Sequence, residues 1–436
     1  MMGTRGTPGF EGKGIDIENT RRVFQEGLGM TQEGDKGRCL LEGVRILELA
    51  NVVAGPFAAS MLADFGAEVI KVEQPGLGDT IRYAGPKKKG VGLWWKVSGR
   101  NKKNITLDLR KPKGQEICKK LVAFCDALIE NFRPGTLEKW NLGWEELKKV
   151  NPSLILLRIS GYGQTGPYSP RPGFGKAAEA MSGVMQITGH PDKEPISPGF
   201  SFADTVSGLT GAFALMTALY HRDGLGMKTG QVIDVALFES IYRLIEWQTI
   251  AYDQLGLIPL RNGARMAVPG SAWLVNNYLT RDSKWVAISA SNRPVLERVL
   301  KLMGGDELLH DERFSPGKIS QHIGELDAIA NRWIREQERD EVIKLFVEAE
   351  AVAAPIYDIQ DICEDPQYLA REDVLTVEDP ELGRLRMLGV MPKFPAMPGK
   401  VHWAGKGMGA FNKEIYCDLL GMSPAELDSL KAEGII

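Results

Sequence analysis

The sequence predicts an α/β fold: an open, Rossmann-like large domain built on a parallel sheet, together with a smaller α+β domain. Short apolar, β-prone segments alternate with segments of helical spacing over roughly the first 250 residues, which is typical of a doubly wound parallel sheet. The chain has 436 residues, of which 43% are hydrophobic and 25% charged. This composition is ordinary for a globular protein, and the length exceeds one average domain.

The first strand–helix–strand unit is the most clearly marked. Val44–Ala50 is apolar and β-prone, which predicts a buried strand. Pro56 precedes a helical segment, Phe57–Asp64, and Gly66 follows it. Proline at the start of a helix and glycine just past its end are the expected pairing. Glu68–Glu73 is predicted to be the next strand.

The alternation continues through the first part of the chain. We predict further strands at Asn104–Leu109, Ala127–Glu130, Ser153–Ser160 and Gln231–Ala236. We predict helices at Lys113–Phe124, Trp144–Val150, Lys176–Met185, Asp204–Tyr220 and Phe238–Tyr252. Ser153–Ser160 is the strongest of these strands, because its apolar run is nearly continuous.

Near residue 256 the pattern changes, since Gly, Pro and Arg mark a linker. Beyond it we predict a hairpin within Trp273–Ser289 and helices at Asn292–Met303 and Leu326–Glu348. We therefore divide the chain into an N-terminal extension (1–40), a large domain (41–255), a small domain (256–355) and a C-terminal segment (356–436) that returns to the large domain. The Gly and charge content of the extension predicts a flexible or wrapping arm.

Charge and cysteine content narrow the classes of protein. A net charge of −3 argues against a nucleic-acid-binding protein. Five scattered cysteines without a CxxC pair fit a reducing cytoplasm better than a disulfide scaffold. The sequence predicts no membrane span and no secretory signal. We expect a cytoplasmic protein.

Motifs of several common chemistries are missing from the sequence. It contains no GxxxxGK[ST], no HExxH and no GxGxxG between a strand and a helix. The five histidines lack metal-ligand spacing, so no metal site is predicted. Ser201, in GFSFA, imitates a nucleophile elbow with His402 downstream, but Pro-rich residues stand where that motif requires a strand. A serine hydrolase is therefore disfavoured.

Asp204 is the first candidate for chemistry, in the segment SPGFSFADTVSGLTG. The structural interpretation is an N-cap, because Asp before a helix accepts backbone N–H bonds and favours the positive end of the helix dipole. The functional interpretation is a nucleophile. The two are compatible, since a helix start would keep the carboxylate ionised and would stabilise developing oxyanions.

Three segments together carry a specific resemblance: VAGPFAASMLADFGAEVIKVE, ENFRPG and the Asp204 segment. With them the chain resembles the family III CoA-transferases over residues 40–436, most densely over 42–240. That group also holds formyl-CoA and carnitine CoA transferases and the 2-methylacyl-CoA racemases. The resemblance implies a large α/β domain built from both chain ends, and two chains interlocked like links, as a homodimer or a heterodimer with a homologous subunit.

The implied activity is the transfer of CoA from an acyl-CoA, with succinyl-CoA as a candidate donor, to a small carboxylic acid. Asp204 would carry the acyl group as a mixed anhydride and then CoA as a thioester, which splits one exchange into easier steps. Water must be excluded, because an anhydride hydrolyses readily. The CoA thioester is a substrate, and no permanently bound cofactor is expected. Phe174, Gly175 and the apolar Leu244–Trp247 stretch make aromatic or branched succinates candidate acceptors.

The resemblance also implies binding residues at loops and helix starts, where free N–H groups and cations suit phosphates. The CoA-binding candidates are Val52, Val53, Ala54, Asn101, Lys102, Lys103, Asn131, Phe132, Arg133 and Lys139. The substrate-pocket candidates are Asn51, Phe174 and Gly175. For each lysine, the alternative is a solvated basic face.

Two departures from the family pattern bear on the activity. Many members carry an acidic residue in place of Gly175, and some carry Gln in place of Val53. Racemases place His and Asp at the positions of Phe174 and Gly175, and Phe174 cannot ionise, so a racemase is disfavoured. The rival hypothesis is a non-catalytic or partner-dependent subunit of a heteromeric transferase, against which the retention of Asp204 argues.

Overall fold

The computed structural model of the protein describes residues 39–265 and 273–436. A six-stranded sheet, parallel throughout, forms its centre. Its strands are β1 (Arg45–Glu48), β2 (Glu68–Glu73), β3 (Lys102–Thr106), β4 (Ala127–Glu130), β5 (Ile155–Ser160) and β6 (Gln231–Ala236). They lie in the order β3-β2-β1-β4-β5-β6, the order of doubly wound nucleotide-binding folds. The predicted α/β fold with a parallel sheet is confirmed.

Burial on both faces explains why these strands were visible in the sequence. β5 is buried at every position and β2 at all but its first. Helices cover both faces of a parallel sheet, so its inner strands read as apolar runs rather than as alternating patterns. The strand predicted at Asn104–Leu109 is displaced: β3 pairs with β2 from Lys102 to Thr106.

Helices surround this sheet. They are α1 (Ala54–Asp64), α2 (Leu93–Ser98), α3 (Pro112–Val122), α4 (Thr136–Lys139), α5 (Trp144–Val150), α6 (Gly175–Met181), α7 (Val184–Ile187), α8 (Phe202–Leu219), α9 (Leu237–Tyr242) and α10 (Gln248–Leu255). Short turns of 3₁₀ or π-helix lie at Thr80–Arg82, Tyr220–Gly224 and Arg243–Ile245, and a two-residue hairpin joins Lys87–Lys88 to Val91–Gly92.

A smaller α+β unit follows, with its own core. Its antiparallel sheet has the order β9-β8-β7, with β7 (Leu274–Leu279), β8 (Trp285–Ala290) and β9 (Ala353–Pro355). Its helices are α11 (Arg293–Leu309), α12 (Ile319–Arg335) and α13 (Arg339–Glu348), with a 3₁₀ turn at Glu312–Phe314. The hairpin predicted within Trp273–Ser289 is present as β7 and β8.

The C-terminal segment packs on the large sheet. It comprises α14 (Ile359–Glu364), α15 (Pro366–Ala370), the hairpin β10 (Val374–Asp379) and β11 (Gly383–Leu388), a π-helical turn (Glu414–Leu419) and α16 (Pro424–Ala432). Tyr416, Leu430 and Ile436 lie in one apolar cluster with Leu47 and Ile70 of the sheet. The C-terminal segment thus covers one face of the large sheet. The domain boundaries stay predictions.

Three predicted helices are interrupted in the structure. Phe238–Tyr252 breaks at Glu246, whose φ is +34°, and Lys176–Met185 breaks at Gly183, whose φ is +88°. Leu326–Glu348 is two helices, α12 and α13. The predicted N-terminal arm falls outside the described residues except at its last two positions, and so do residues 266–270 of the linker predicted after residue 256.

α8 continued through Tyr220–Gly224 is long and apolar enough to cross a membrane, judged by length and composition alone. The sequence had led us to expect no such segment. α8 packs against α1 and against β5, and 44% of the apolar window is buried in the fold. A core helix of a globular protein passes the same test as a membrane span, and one face of α8 is packed inside the fold.

Candidate active site

The strand order reverses between β1 and β4, and the loops that leave these two strands meet there. Asn51 N donates a hydrogen bond to Asn131 Oδ1 at 2.8 Å, and Asn131 Nδ2 donates to Asn51 O at 2.7 Å. Ligands of open α/β sheets bind beyond the carboxyl ends of the strands at such a reversal. Two of the predicted binding residues, distant in sequence, are therefore paired at this position.

The next residue, Val52, has a strained backbone. Its φ is +69°, a left-handed conformation that is an outlier for a β-branched side chain. Its side chain is exposed, and its N–H donates to Asp79 Oδ1 at 3.0 Å. Such strain persists only where the surroundings enforce it, and it is concentrated at ligand sites. The strained backbone of Val52 and its hydrogen bond to Asp79 therefore indicate that the surrounding structure holds this loop in one conformation. The loop lies at the strand reversal between β1 and β4, which is the switch point of the sheet.

Buried charged side chains under the loop supply that enforcement. Lys71 Nζ lies 2.9 Å from Glu48 Oε1 and 2.8 Å from Asp79 Oδ2, and it donates to the carbonyl oxygen of Ala50 at 2.8 Å. The side chains of all three charged residues are fully buried. Removing one member of such a group leaves an uncompensated buried charge, which costs several kcal/mol.

Lys102 extends the same network. Its Nζ lies 2.8 Å from Glu48 Oε2, as an ion pair rather than a well-directed hydrogen bond, and donates to Pro56 O at 2.7 Å. The network therefore contacts the loop at Ala50, Val52 and Pro56. These contacts fix both ends of the loop and its strained residue.

The charges in the network shift the pKa values of its members in opposite directions. Burial would lower the pKa of Lys71, but the carboxylates of Asp79 and Glu48 raise it above its usual value. Burial lowers the pKa of Lys102 to about 8, although Glu48 opposes this. Burial would raise the pKa of Asp79, but the charge of Lys71 lowers it. Lys71 and Asp79 thus hold their charges firmly.

Asp204 lies in the first turn of α8, as its third residue. The N-cap is Ser201, whose side chain makes no capping bond, so the N-cap interpretation of Asp204 was wrong by three residues. The helix that follows the Pro-rich loop begins at Phe202, earlier than the sequence indicated. Ser201 follows a loop rather than a strand, so it does not lie in a nucleophile elbow.

Close helix packing brings the first turn of α8 to the switch-point loop. A methyl group on Gly208, one turn after Asp204, would lie only 2.6 Å from the Ala54 carbonyl oxygen. α1 and α8 share the most extensive helix–helix contact among the described residues. Glycine at this position lets the backbones approach closely, so the first turns of α8 lie beside the start of α1.

The Asp204 carboxylate lies against α6. A methyl group on Gly175, the first residue of α6, would lie 2.7 Å from Asp204 Oδ2. Burial and, to a smaller extent, the charge of Glu179, also on α6, together raise the pKa of Asp204 to about 6. A carboxylate in a desolvated site with a raised pKa is typical of catalytic positions. Phe174, at the N-cap of α6, is 76% exposed.

The side chains of Asn101–Lys103, which we predicted to bind CoA, are bound to other residues of the protein. Asn101 Nδ2 donates to Asp64 Oδ1 at 3.0 Å, and Lys103 Nζ bridges Glu68 and Glu414. Lys102 is fully buried in the network described above. All three side chains are committed to partners inside the protein, which leaves no exposed ammonium at Lys102 for a phosphate.

The second predicted basic loop has the expected exposure. Phe132 packs edge-to-face on Trp140 with ring centroids 5.0 Å apart, and its N–H donates to Glu130 Oε2. Arg133 and Lys139 are exposed beside it. Their cations are free to meet an anionic ligand at the switch point.

Sequence reasoning missed Lys71, Asp79 and Glu179. Lys71 has a detectable signal, since a lysine inside the apolar run EVIKVE must find a buried partner. Asp79 and Glu179 have none, because single carboxylates in a loop and on a helix read as solvent-exposed.

The comparison with known families decides the classification. The profile of CoA-transferase family III matches residues 41–409. The chain belongs to this family. It is a CoA-transferase that acts on acyl-CoA substrates.

Curated relatives match over almost their whole length. The succinyl-CoA–D-citramalate CoA-transferase of Chloroflexus aurantiacus is 42% identical over 398 residues, covering 91% of this chain and 98% of the relative. The succinyl-CoA–L-malate CoA-transferase beta subunit of the same organism is 38% identical, with the same coverage. The succinyl-CoA:glutarate CoA-transferase of Homo sapiens is 34% identical over 91% of this chain and 90% of the relative.

Solved structures agree in fold. A CAIB/BAIF family protein from Brucella suis superimposes with a TM-score of 0.77 at 33% identity, covering 88% of this chain and 100% of that protein. The architecture described above is therefore the family architecture.

Proposed function

We propose that this protein transfers CoA from succinyl-CoA to a small dicarboxylic acid, with Asp204 as the covalent carrier. The observation that carries the proposal is the position of Asp204: a largely buried carboxylate of raised pKa at the start of a helix packed on the switch-point loop. Several relatives are named for succinyl-CoA and for citramalate, malate or glutarate, all dicarboxylic acids, and these names support the substrate class.

The steps follow from carboxylate chemistry. The Asp204 carboxylate attacks the thioester carbonyl of succinyl-CoA and displaces CoA thiolate, giving a mixed anhydride. The thiolate attacks the aspartyl carbonyl of the anhydride, releasing succinate and leaving an aspartyl-CoA thioester. The acceptor carboxylate then displaces CoA thiolate from Asp204, and the thiolate attacks the acceptor carbonyl of the new anhydride. This frees Asp204 and the product thioester.

The switch-point loop is the proposed CoA site. Asn51, with Val52–Ala54, would line the thioester end of CoA, and the exposed cations Arg133 and Lys139 would meet its phosphates. Asn131 and Phe132 would hold the second loop in place. Asn101–Lys103 takes a supporting role in this proposal, because its side chains are bound within the protein. The N-terminus of α1 adds free N–H groups to the site.

An exchange assay tests the proposal. The purified chain is incubated with succinyl-CoA and a panel of dicarboxylic acids, and product thioesters are followed by chromatography. Hydroxylamine trapping with peptide mass analysis locates any covalent adduct. We expect an adduct on the Asp204 peptide and loss of exchange in Asp204→Ala, with normal exchange in the exposed control Asp192→Ala. Full activity of Asp204→Ala would overturn the proposal.

A partner-dependent subunit is the second candidate, because relatives at 37% and 38% identity are the alpha and beta subunits of one named transferase. The chain alone, purified to homogeneity, distinguishes the two. Exchange by the single chain supports the first proposal. Binding of CoA without any adduct or exchange supports a chain that needs a homologous partner.

The outer face of α8 favours assembly. Leu209, Phe213 and Tyr220 recur at helical spacing, and all three are more than half exposed. Apolar stripes of this size mark contact surfaces. We propose that a second copy of the chain covers them in the interlocked dimer. Light scattering of the wild type and of Phe213→Glu tests this, and a wild-type monomer would contradict it.

A further inference from the structure

Two residues of α6 face the nucleophile from the same side. Gly175 and Glu179 are four residues apart, so they lie one turn apart on one helix face. Gly175 contacts the Asp204 carboxylate directly, as its lack of space for a methyl group shows. Glu179 is 3% exposed, and its Oε1 accepts a hydrogen bond from the N–H of Ala203 at 3.3 Å. The carboxylate of Glu179 is thus anchored beside Asp204.

The electrostatic surroundings of Asp204 are unusual for a buried acid. Of the elements that pack on α8, α6 contributes the charge of Glu179. From α1, α9, β5 and β6, which also pack on α8, no titratable group within the described residues shifts the pKa of Asp204. The described part of the site therefore holds the buried carboxylate of Glu179 beside the half-buried carboxylate of Asp204 without a neutralising cation, and this arrangement disfavours the charged form of Asp204.

We infer that Glu179 is a positioning residue that drives covalent capture at Asp204, by destabilising the free carboxylate relative to the acylated one. The inference rests on the proposed function. When Asp204 becomes an anhydride or a thioester it loses its negative charge, and its repulsion from Glu179 is relieved. The hydrogen bond between Ala203 N–H and Glu179 fixes the first turn of α8. Asp204 therefore cannot move away from Glu179 to relieve the repulsion.

This role also accounts for Gly175. Family members that carry an acidic residue in place of Gly175 would present a carboxylate at the start of α6. Here the second carboxylate stands one turn later, and Gly175 leaves the room that Asp204 occupies. The chain thus retains two acids at the site in a shifted arrangement.

Glu179→Gln is the decisive variant, because the amide oxygen can still accept the Ala203 N–H while the charge is lost. We expect the acid limb of the pH profile of kcat/KM to move to lower pH. We also expect the fraction of trapped aspartyl adduct at equilibrium to fall about three- to tenfold, since close carboxylates interact by about 1 kcal/mol. Glu179→Asp keeps the charge and should resemble the wild type in both readouts.

The controls separate this inference from the proposed function. Glu116→Gln removes an exposed carboxylate from α3 and should leave both readouts unchanged. If the wild type forms no adduct, the proposed function fails. If the wild type forms the adduct and Glu179→Gln equals it in pH profile and adduct fraction, only the role of Glu179 is overturned. Equal displacement of the acid limb by Glu179→Gln and Glu179→Asp would likewise contradict the role of charge.

Discussion

The two parts of the candidate site handle buried charge in opposite ways. Under the switch-point loop, Lys71 and Lys102 are matched by Glu48 and Asp79 in one closed network. At the start of α8, Asp204 faces another carboxylate, and no cation among the described residues shifts its pKa downward. The first arrangement stabilises one loop conformation. The second places unfavourable electrostatic energy at the proposed nucleophile.

The difference teaches how the fold divides its work. A binding loop with a strained residue needs rigid support, and buried ion pairs provide it because breaking any one of them is costly. A carboxylate that acts as a nucleophile needs the opposite arrangement, because a carboxylate stabilised by a neighbouring cation would be unreactive. Substitutions in each region should therefore change stability or activity in the direction that its charge balance requires.

The largest effect is expected at Lys71. Lys71→Met leaves Glu48 and Asp79 with one cation between them, so we expect the free energy of unfolding to fall by about 3–5 kcal/mol. Denaturant unfolding measures it. Lys103→Met serves as control, because Lys103 is partly exposed and its ion pairs are worth roughly 1 kcal/mol or less. Equal losses in the two variants would refute the idea of a buried supporting network.

At Asp204 we expect the opposite effect on the free energy of unfolding: removing this charge should stabilise the folded protein. Burial raises its pKa from 3.8 to about 6, so between these values the folded protein binds more protons than the unfolded chain and stability falls as pH rises. Above pH about 6 the full cost, up to about 3 kcal/mol, is present. Asp204→Asn should therefore be more stable than the wild type near pH 8 and equal to it below pH about 4.

Thermal unfolding of both proteins across this pH range checks the sign. Asp192→Asn, at an exposed position, should show no pH-dependent gain. A destabilised Asp204→Asn at pH about 8 would mean that the carboxylate has a favourable partner in solution. The comparison between the two regions would then fail.

The strands of the sheet were predictable because their burial is visible in the residues of each strand alone. Parallel strands buried on both faces appear as apolar runs, as at Ser153–Ser160, and helix punctuation by Pro56 and Gly66 marks the first crossover. The order of the strands was not predictable, because it depends on pairings between segments far apart in sequence. Helix interruptions such as Glu246 were missed because one residue of unusual φ leaves no pattern.

The site was predictable only where a motif exposes it. Asp204, the Asn51 loop and the Asn131 loop stand in recognisable segments, and the structure places the two loops together at the strand reversal. Lys102 misled, because a pair of lysines reads as a basic surface while the strand it begins is buried. Glu179 was invisible, since only tertiary packing of α6 on α8 turns a helical glutamate toward Asp204.

Gly175→Ala tests the spacing at Asp204, the proposed nucleophile. The added methyl group would lie 2.7 Å from Asp204 Oδ2, so the carboxylate must move. Displacement of a reacting group by about 1 Å costs on the order of a hundredfold in rate. We expect that loss in kcat, with little change in stability. Gly199→Ala is the control, since a methyl group there meets nothing within 4 Å. Undiminished kcat in Gly175→Ala would show that Asp204 relaxes freely.

The smallest effect is expected at Val52, and it isolates strain from burial. Val52→Gly removes a β-branched side chain from a left-handed conformation worth roughly 1–3 kcal/mol of strain, against about 0.5–1 kcal/mol of added entropy in the unfolded chain. We expect a net gain of about 1 kcal/mol. Val53→Gly is the matched control, because its φ of −124° carries no such strain and the change should destabilise. Should both glycines destabilise alike, the loop would be held by its side chains rather than by the ion pairs beneath it.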